Sequence, residues 1–175
     1  MERLGAATLS TDAVVHELYS SPEVRDAVVE RFGSDVAARG EVDRPAVARA
    51  AFATREDREW LESLLWPRVG ARIAEWRASL EHRTPPPRAG VVEVPLLFEA
   101  GMGDAFDATI AVVADEDLRA RRAGERGHEA LDERGARQLS QREKAERATY
   151  TVTNDQSVEE LEAKLSDVLE MLGRP

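Results

Sequence analysis

The chain has 175 residues, 42% of them hydrophobic and 33% charged, with no cysteine, a formal net charge of −10 and a pI near 4.9. That length fits one domain with a sizeable core, the lack of cysteine excludes disulfides and thiolate chemistry, and the acidic balance argues against the broad attraction to phosphate backbones that a nucleic-acid binder uses. No apolar run approaches the ~18 residues a membrane helix needs, and MERLGAATLS at the start lacks a basic leader with an apolar core and cleavage site, which points to a soluble cytoplasmic protein.

Taken in chain order, AATLS is short and partly β-forming, and TDAVVHELY places Val14, Val15 and Leu18 at helical spacing behind Ser10 and Thr11, two residues suited to capping. A strand running into a helix is predicted. PEVRDAVVERF predicts a helix opened by Pro22 that buries Val24, Val28 or Val29, and Phe32, and ends at Gly33. Another helix is predicted from near Asp43, with Pro45 in its first turn. The run from Arg55 to Arg83 carries Trp60, Leu61, Leu64, Leu65, Val69, Ile73, Trp76 and Leu80 on one stripe, with Pro67 inside it. Proline removes a helix hydrogen bond, so a helix, a break or kink, and a second helix are predicted there.

TPPPR at 84–88 is the connector into the strand GVVEV. DATIAVVA at 107–114 has the β-branched composition of a parallel strand covered on both faces, and YTVT at 150–153 is a further strand. A last helix is capped by Ser157 and Glu160 and carries Val158, Leu161, Leu165, Val168 and Leu172 on one stripe. Strands alternating with helices imply an α/β layer fold with right-handed crossovers.

In an open parallel sheet, ligands collect beyond the carboxyl ends of the strands. Asp12, after ATLS, and Pro95, Leu96, Leu97, Phe98 and Glu99, after GVVEV, are therefore expected to face one crevice, its wall apolar and Glu99 at its mouth. Plainer readings stand beside this one. Asp12 also suits the first turn of any helix, where the dipole favours an acid, and PLLF also suits a core. From Asp115 to Ala148 acids and bases balance in number, which also describes a solvated face. His16 reads as a surface residue, and His82 and His128 lack ligand spacing, so no metal site built by protein alone is indicated.

Three stretches in this order resemble one family, the dephospho-CoA kinases. LGAATLSTDAVVHEL is similar to its strand running into Asp-Ala-Asp and a helix, VVEVPLLFEAG to its Pro-Leu-Leu-Phe-Glu signature, and QLSQREKAERATYTVTN to the pattern before its last helix. The resemblance covers residues 4–172. It implies a three-layer P-loop kinase-like parallel sheet, with a helical CoA-binding subdomain over about 21–83 and a lid over about 115–148. The implied reaction is ATP-dependent phosphorylation of the ribose 3′-hydroxyl of dephospho-CoA, with Mg2+, in the last step of coenzyme A synthesis. Asp12 matches the second Asp of Asp-Ala-Asp and would orient or deprotonate the hydroxyl. Arg122, Arg126 and Arg142 match lid arginines that would neutralise phosphoryl charge, and Arg147 and Asn154 match positions near the nucleotide.

Three departures accompany the match. Ser10 stands for the first Asp of Asp-Ala-Asp, and Trp66 for a histidine before proline. Lysine occurs only at 144 and 164, after Glu143 and Ala163, so no GxxxxGK[ST] cradle for phosphates is present. The family places that loop, with the first strand, ahead of the position of Met1. The reading is therefore that Met1 is an internal position of a longer natural protein, and that the 175 residues lack the first strand and the P-loop and are impaired in ATP use. A non-catalytic CoA-binding or regulatory module is the alternative, and another nucleotide kinase is a third reading.

Overall fold

The computed structural model describes residues 1–38, 40–125 and 138–173. The chain folds as two compact units, one of Ala7–Val94 and one of Met1–Ala6 with Pro95–Pro175. The 21–83 stretch falls within the first unit and the 115–148 stretch within the second.

In the first unit, β1 (Ala7–Ser10) pairs in parallel with β2 (Gly90–Glu93), register Ala7 to Gly90 and Ser10 to Glu93. Helices α1 (Thr11–Ser20), α2 (Pro22–Phe32), α3 (Arg44–Ala51) and α4 (Arg55–Leu80) form the crossover between the strands. Their stops are local chemistry. The Ser21 hydroxyl accepts the Val24 N–H and caps α2, the Asp43 carboxylate accepts from Ala46 and caps α3, and Thr54 accepts from Asp57 and caps α4. Gly33, which ends α2, has φ 88°, a left-handed conformation favoured by a residue without Cβ. The apolar faces meet in a core of Tyr19, Val24, Val28, Val36, Val47 and Leu65. Val28 is fully buried. At its border the rings of Phe32 and Trp60 meet edge to face, centroids 5.4 Å apart.

Two expectations are corrected here. The Arg55–Leu80 run is one continuous helix with Pro67 inside it. Pro67 and Ser63, whose carbonyl loses its donor, both lie on the exposed face of the helix, where water can take the donor's place, while Leu65 and Val69 anchor the buried face. Ser10 and Thr11 make no side-chain cap on α1. The buried Thr11 hydroxyl instead donates across the ladder to the Glu93 carbonyl, 3.0 Å away, and ties the carboxyl ends of β1 and β2 together.

In the second unit, β3 (Ile110–Val113) pairs in parallel with β4 (Tyr150–Thr153). Helices α5 (Glu116–Glu125), α6 (Gln141–Arg147) and α7 (Val158–Leu172) complete it. Thr109 and Thr149 exchange reciprocal N–H to hydroxyl bonds of 3.0 Å at the amino ends of the two strands. Val152, Ala111, Val168 and Leu169 are buried. Val158 and Leu172 of the predicted α7 stripe are exposed, and Val112 of β3 is 53% exposed, so that strand is not covered on both faces. The α/β class and the parallel pairing are as expected. Among the described residues the strands form two separate two-stranded ladders, not one sheet, so each strand keeps one edge outside its ladder.

Candidate active site

Asp12 lies in the first turn of α1, two residues beyond the last residue of β1. The Thr11 bond to the Glu93 carbonyl fixes the backbone from which it projects. Its carboxylate is exposed and has no hydrogen-bond or ion-pair partner among the described residues. A free carboxylate at a strand's carboxyl end, on a backbone held by a buried tie, can accept a proton or a hydroxyl hydrogen bond without first giving up a protein partner.

The other candidates belong to the second unit. Residues 95–102 do not run on as strand. Ala100, Gly101 and Met102 donate their N–H groups back to the carbonyls of Leu96, Phe98 and Leu97, and Gly101 takes φ 66° to allow it. Leu96 is exposed at 43%, while Leu97 and Phe98 are half-buried. Phe98 borders an open cavity of about 370 Å3, shared with Phe106, Thr109, Thr149 and Arg147.

Glu99 is not at a mouth. Its side chain is 16% exposed, and Oε1 accepts from Lys144 Nζ and from the Leu139 N–H, both at 3.0 Å. Lys144 also donates to the Pro95 carbonyl at 3.0 Å. Burial raises the Glu99 pKa, but the bonds from Lys144, from its own backbone N–H and from Leu139 outweigh this and hold the carboxyl below its ordinary range. Oε2 is buried without a partner among the described residues. The signature glutamate thus anchors its loop to α6.

The structure brings Arg122 and Asn154 together, the guanidinium donating to the Asn154 carbonyl at 2.7 Å. The Asn154 N–H bonds the Val113 carbonyl at 2.7 Å, so both hang on the carboxyl ends of β3 and β4. Arg147 is exposed and borders the cavity with Phe98. Arg142 stands apart, 88% exposed and paired to Glu146 one helical turn on at 2.8 Å. Arg126 lies outside the described residues. Among the described residues no group of three His, Asp or Glu is placed to hold a metal ion, and no helix is long and apolar enough to cross a membrane.

Sequence reasoning missed the fastenings. Gln141 accepts the Ala114 N–H and donates to the Ala114 carbonyl, each at 2.8 Å, which holds α6 on the end of β3. The Asp155 carboxylate accepts the Asp115 N–H at 2.7 Å and links the ends of β3 and β4. α6 itself starts with a complete capping box, Ser140 accepting from Glu143 N–H and Glu143 from Ser140 N–H. The Ser-x-x-Glu spacing in SQRE was the available signal for it.

The dephospho-CoA kinase family model matches residues 1–160. The dephospho-CoA kinase of Protochlamydia amoebophila is 32% identical over 98% of this chain and 87% of its own length, and that of Deinococcus radiodurans is 34% identical over 96% and 81%. Among solved structures, TT1252 from Thermus thermophilus is 31% identical with a TM-score of 0.79, covering 98% of this chain and 87% of its own. The dephospho-CoA kinase from Campylobacter jejuni, 22% identical over the same shares with a TM-score of 0.66, has a similar fold. With signature loop, strand ends and whole-chain similarity all pointing the same way, the chain belongs to the dephospho-CoA kinase family.

Proposed function

We propose that the chain takes part in transfer of the γ-phosphoryl group of ATP to the ribose 3′-hydroxyl of dephospho-CoA, with Asp12 as the group that receives the hydroxyl proton. The hydroxyl oxygen forms the new bond to the γ-phosphorus, the bond from that phosphorus to the bridging oxygen breaks, ADP leaves, and the proton passes to Asp12 and then to water. ATP enters with Mg2+ on its phosphates, as substrate and not as a resident cofactor. The observation that carries the reading is the partnerless Asp12 carboxylate on a backbone tied by Thr11.

The lid arginines supply positive charge as negative charge spreads over the equatorial oxygens. Arg122 is the first candidate, because its bond to the Asn154 carbonyl already holds it at the strand ends. Arg142 would exchange Glu146 for phosphate, and Arg126 belongs to the same run. Arg147 and Asn154 serve the nucleotide. The 21–83 stretch serves as the helical substrate subdomain of a single 1–175 domain, 115–148 as the lid, and Pro95, Leu96, Leu97, Phe98 and Glu99 as the loop beside the substrate. The reaction belongs to the cytoplasm.

The test is transfer of labelled phosphoryl from ATP to dephospho-CoA by the protein as its source organism makes it, beside its Asp12→Asn variant. Asp12→Asn is expected to cut kcat by two orders of magnitude or more (~10²–10⁴) with ATP binding near normal. Turnover by Asp12→Asn at the wild-type rate would remove Asp12 from the mechanism. Tight binding of dephospho-CoA with no transfer by the natural protein would select the non-catalytic binding module.

A further inference from the structure

Lys144 has no place in the transfer step set out above, yet it joins two of that step's parts. Its ammonium donates to Glu99 Oε1 and to the Pro95 carbonyl, both at 3.0 Å, and so holds both ends of the loop assigned to the substrate side. Three residues earlier on α6, a spacing that puts two side chains on one face of a helix, Gln141 holds the Ala114 N–H and carbonyl at 2.8 Å each. Ala114 directly follows β3, whose last residue, Val113, accepts the Asn154 N–H at 2.7 Å. The Asn154 carbonyl accepts from Arg122 at 2.7 Å. Every link from Pro95 and Glu99 to the Arg122 guanidinium is thus covalent chain or a short hydrogen bond.

Stability alone does not call for such a linkage. An apolar pair of similar volume holds two elements together as well as a buried ion pair does, because desolvation offsets most of the attraction between the charges. Lys144 and Glu99 are largely buried, and Glu99 Oε2 is buried with no partner among the described residues, so this pair carries a desolvation cost that an apolar contact avoids. Polar links supply something else. Apolar surfaces slide past one another at little cost, whereas charge-assisted hydrogen bonds fix a length and a direction.

Resting on the reading that this chain transfers a phosphoryl group from ATP to dephospho-CoA, we infer that Lys144 is a positioning residue for that transfer. With Gln141 it makes α6 a spacer that sets the distance between the Pro95–Glu99 loop, beside the acceptor, and Arg122, which meets the charge of the transferring group. Lys144 touches neither reactant and acts through Glu99 and Pro95. A misplacement of about 1 Å between reacting groups costs on the order of 10²-fold in rate, so a spacer of fixed length bears on turnover more than on binding.

Steady-state kinetics of transfer from ATP to dephospho-CoA test this, on the protein as its source organism makes it and on Lys144→Met, Lys144→Arg, Gln141→Met and Val168→Ala. They are run at a temperature where circular dichroism shows each protein folded. Lys144→Met and Gln141→Met are each expected to lower kcat by about tenfold or more, with KM for ATP within about twofold of wild type. The double variant falls no lower than the worse single one, because both break one linkage. Lys144→Arg, whose fork still reaches both oxygens, restores most of kcat. Val168→Ala truncates the core of the same unit, so it lowers the Tm and leaves kcat and KM unchanged, which separates positioning from stability. Wild-type kcat in Lys144→Met, or in Gln141→Met if Lys144→Met does not fold, would overturn the proposal and leave the kinase reading standing. A kcat loss in Val168→Ala as large as in Lys144→Met would do the same. Absence of transfer by the wild-type protein would instead overturn the kinase reading on which the proposal rests.

Discussion

Replacing Lys144 by Met keeps the methylene stem and removes only the ammonium, which isolates what that charge does. Two bonds are lost, one to Glu99 Oε1 and one to the Pro95 carbonyl, both 3.0 Å. Glu99, 16% exposed, is left with the Leu139 N–H, its own backbone N–H and an Oε2 that already lacks a partner among the described residues. Hydrogen bonds to charged groups contribute about 1.5–3 kcal/mol each, and stranding one partner of a buried ion pair costs about 3–5 kcal/mol. Lys144 is 24% exposed, so water reaches its end of the pair and the loss is discounted to about 2–3 kcal/mol. For a chain of this length that lowers the Tm by roughly 5–10 °C. Urea and thermal unfolding of wild type, Lys144→Met, Glu99→Gln and the double variant measure it, and the cycle should return a coupling of about 1–2 kcal/mol. A Lys144→Met variant within about 0.5 kcal/mol of wild type, or additivity with Glu99→Gln, would refute the assignment of Glu99 as the loop's anchor.

The same pair sets an acid limit. The Glu99 carboxyl is held below its ordinary range in the folded chain, so its contribution is present above the unfolded value and is lost as pH falls through the lowered one; stability curves taken between neutral and acid pH should flatten in Lys144→Met. Gly90 packs so closely that a Cβ there would meet Leu80 Cδ1 at 2.8 Å and the Trp76 ring at 3.4 Å. Gly90→Ala should cost about 1 kcal/mol in urea unfolding, since Leu80 can rotate, and Gly90→Val about 2–3 kcal/mol. Asp43→Ala removes the cap of α3 and should cost about 1 kcal/mol by the same measurement, with the loss of helix read by circular dichroism.

Much of the fold was legible because it follows from short-range periodicity. The β-branched runs became strands, Pro22 and Asp43 opened helices, and Val24, Val28 and Leu65 faced a core. Pro67 misled because the local rule was applied without asking which way the residue faces; with Ser63 and Pro67 both exposed, the missing bond falls on the solvent side, where water can replace it. The site was legible as a set of residues and not as a set of roles. Thr11, a capping type by its place in the chain, reaches Glu93, 82 residues away. Glu99 was marked as functional, yet its partner Lys144 lies far along the chain, and no short-range pattern joins them. Arg142 is the reverse case, since its Glu146 partner at i+4 is plain in the sequence.

Helix α6 is only seven residues long, yet Gln141 covers the backbone of Ala114, Lys144 secures Pro95 and Glu99, and Glu99 in turn holds the Leu139 amide. Two distant stretches of backbone are thus protected by one short element. If α6 frays, the amide protons of Ala114 and Leu139 lose their acceptors in a single event and exchange with solvent at a common rate. The turn after β3 and the entry to α6 are therefore one cooperative opening unit, and any ligand that tightens α6 slows exchange at both places at once.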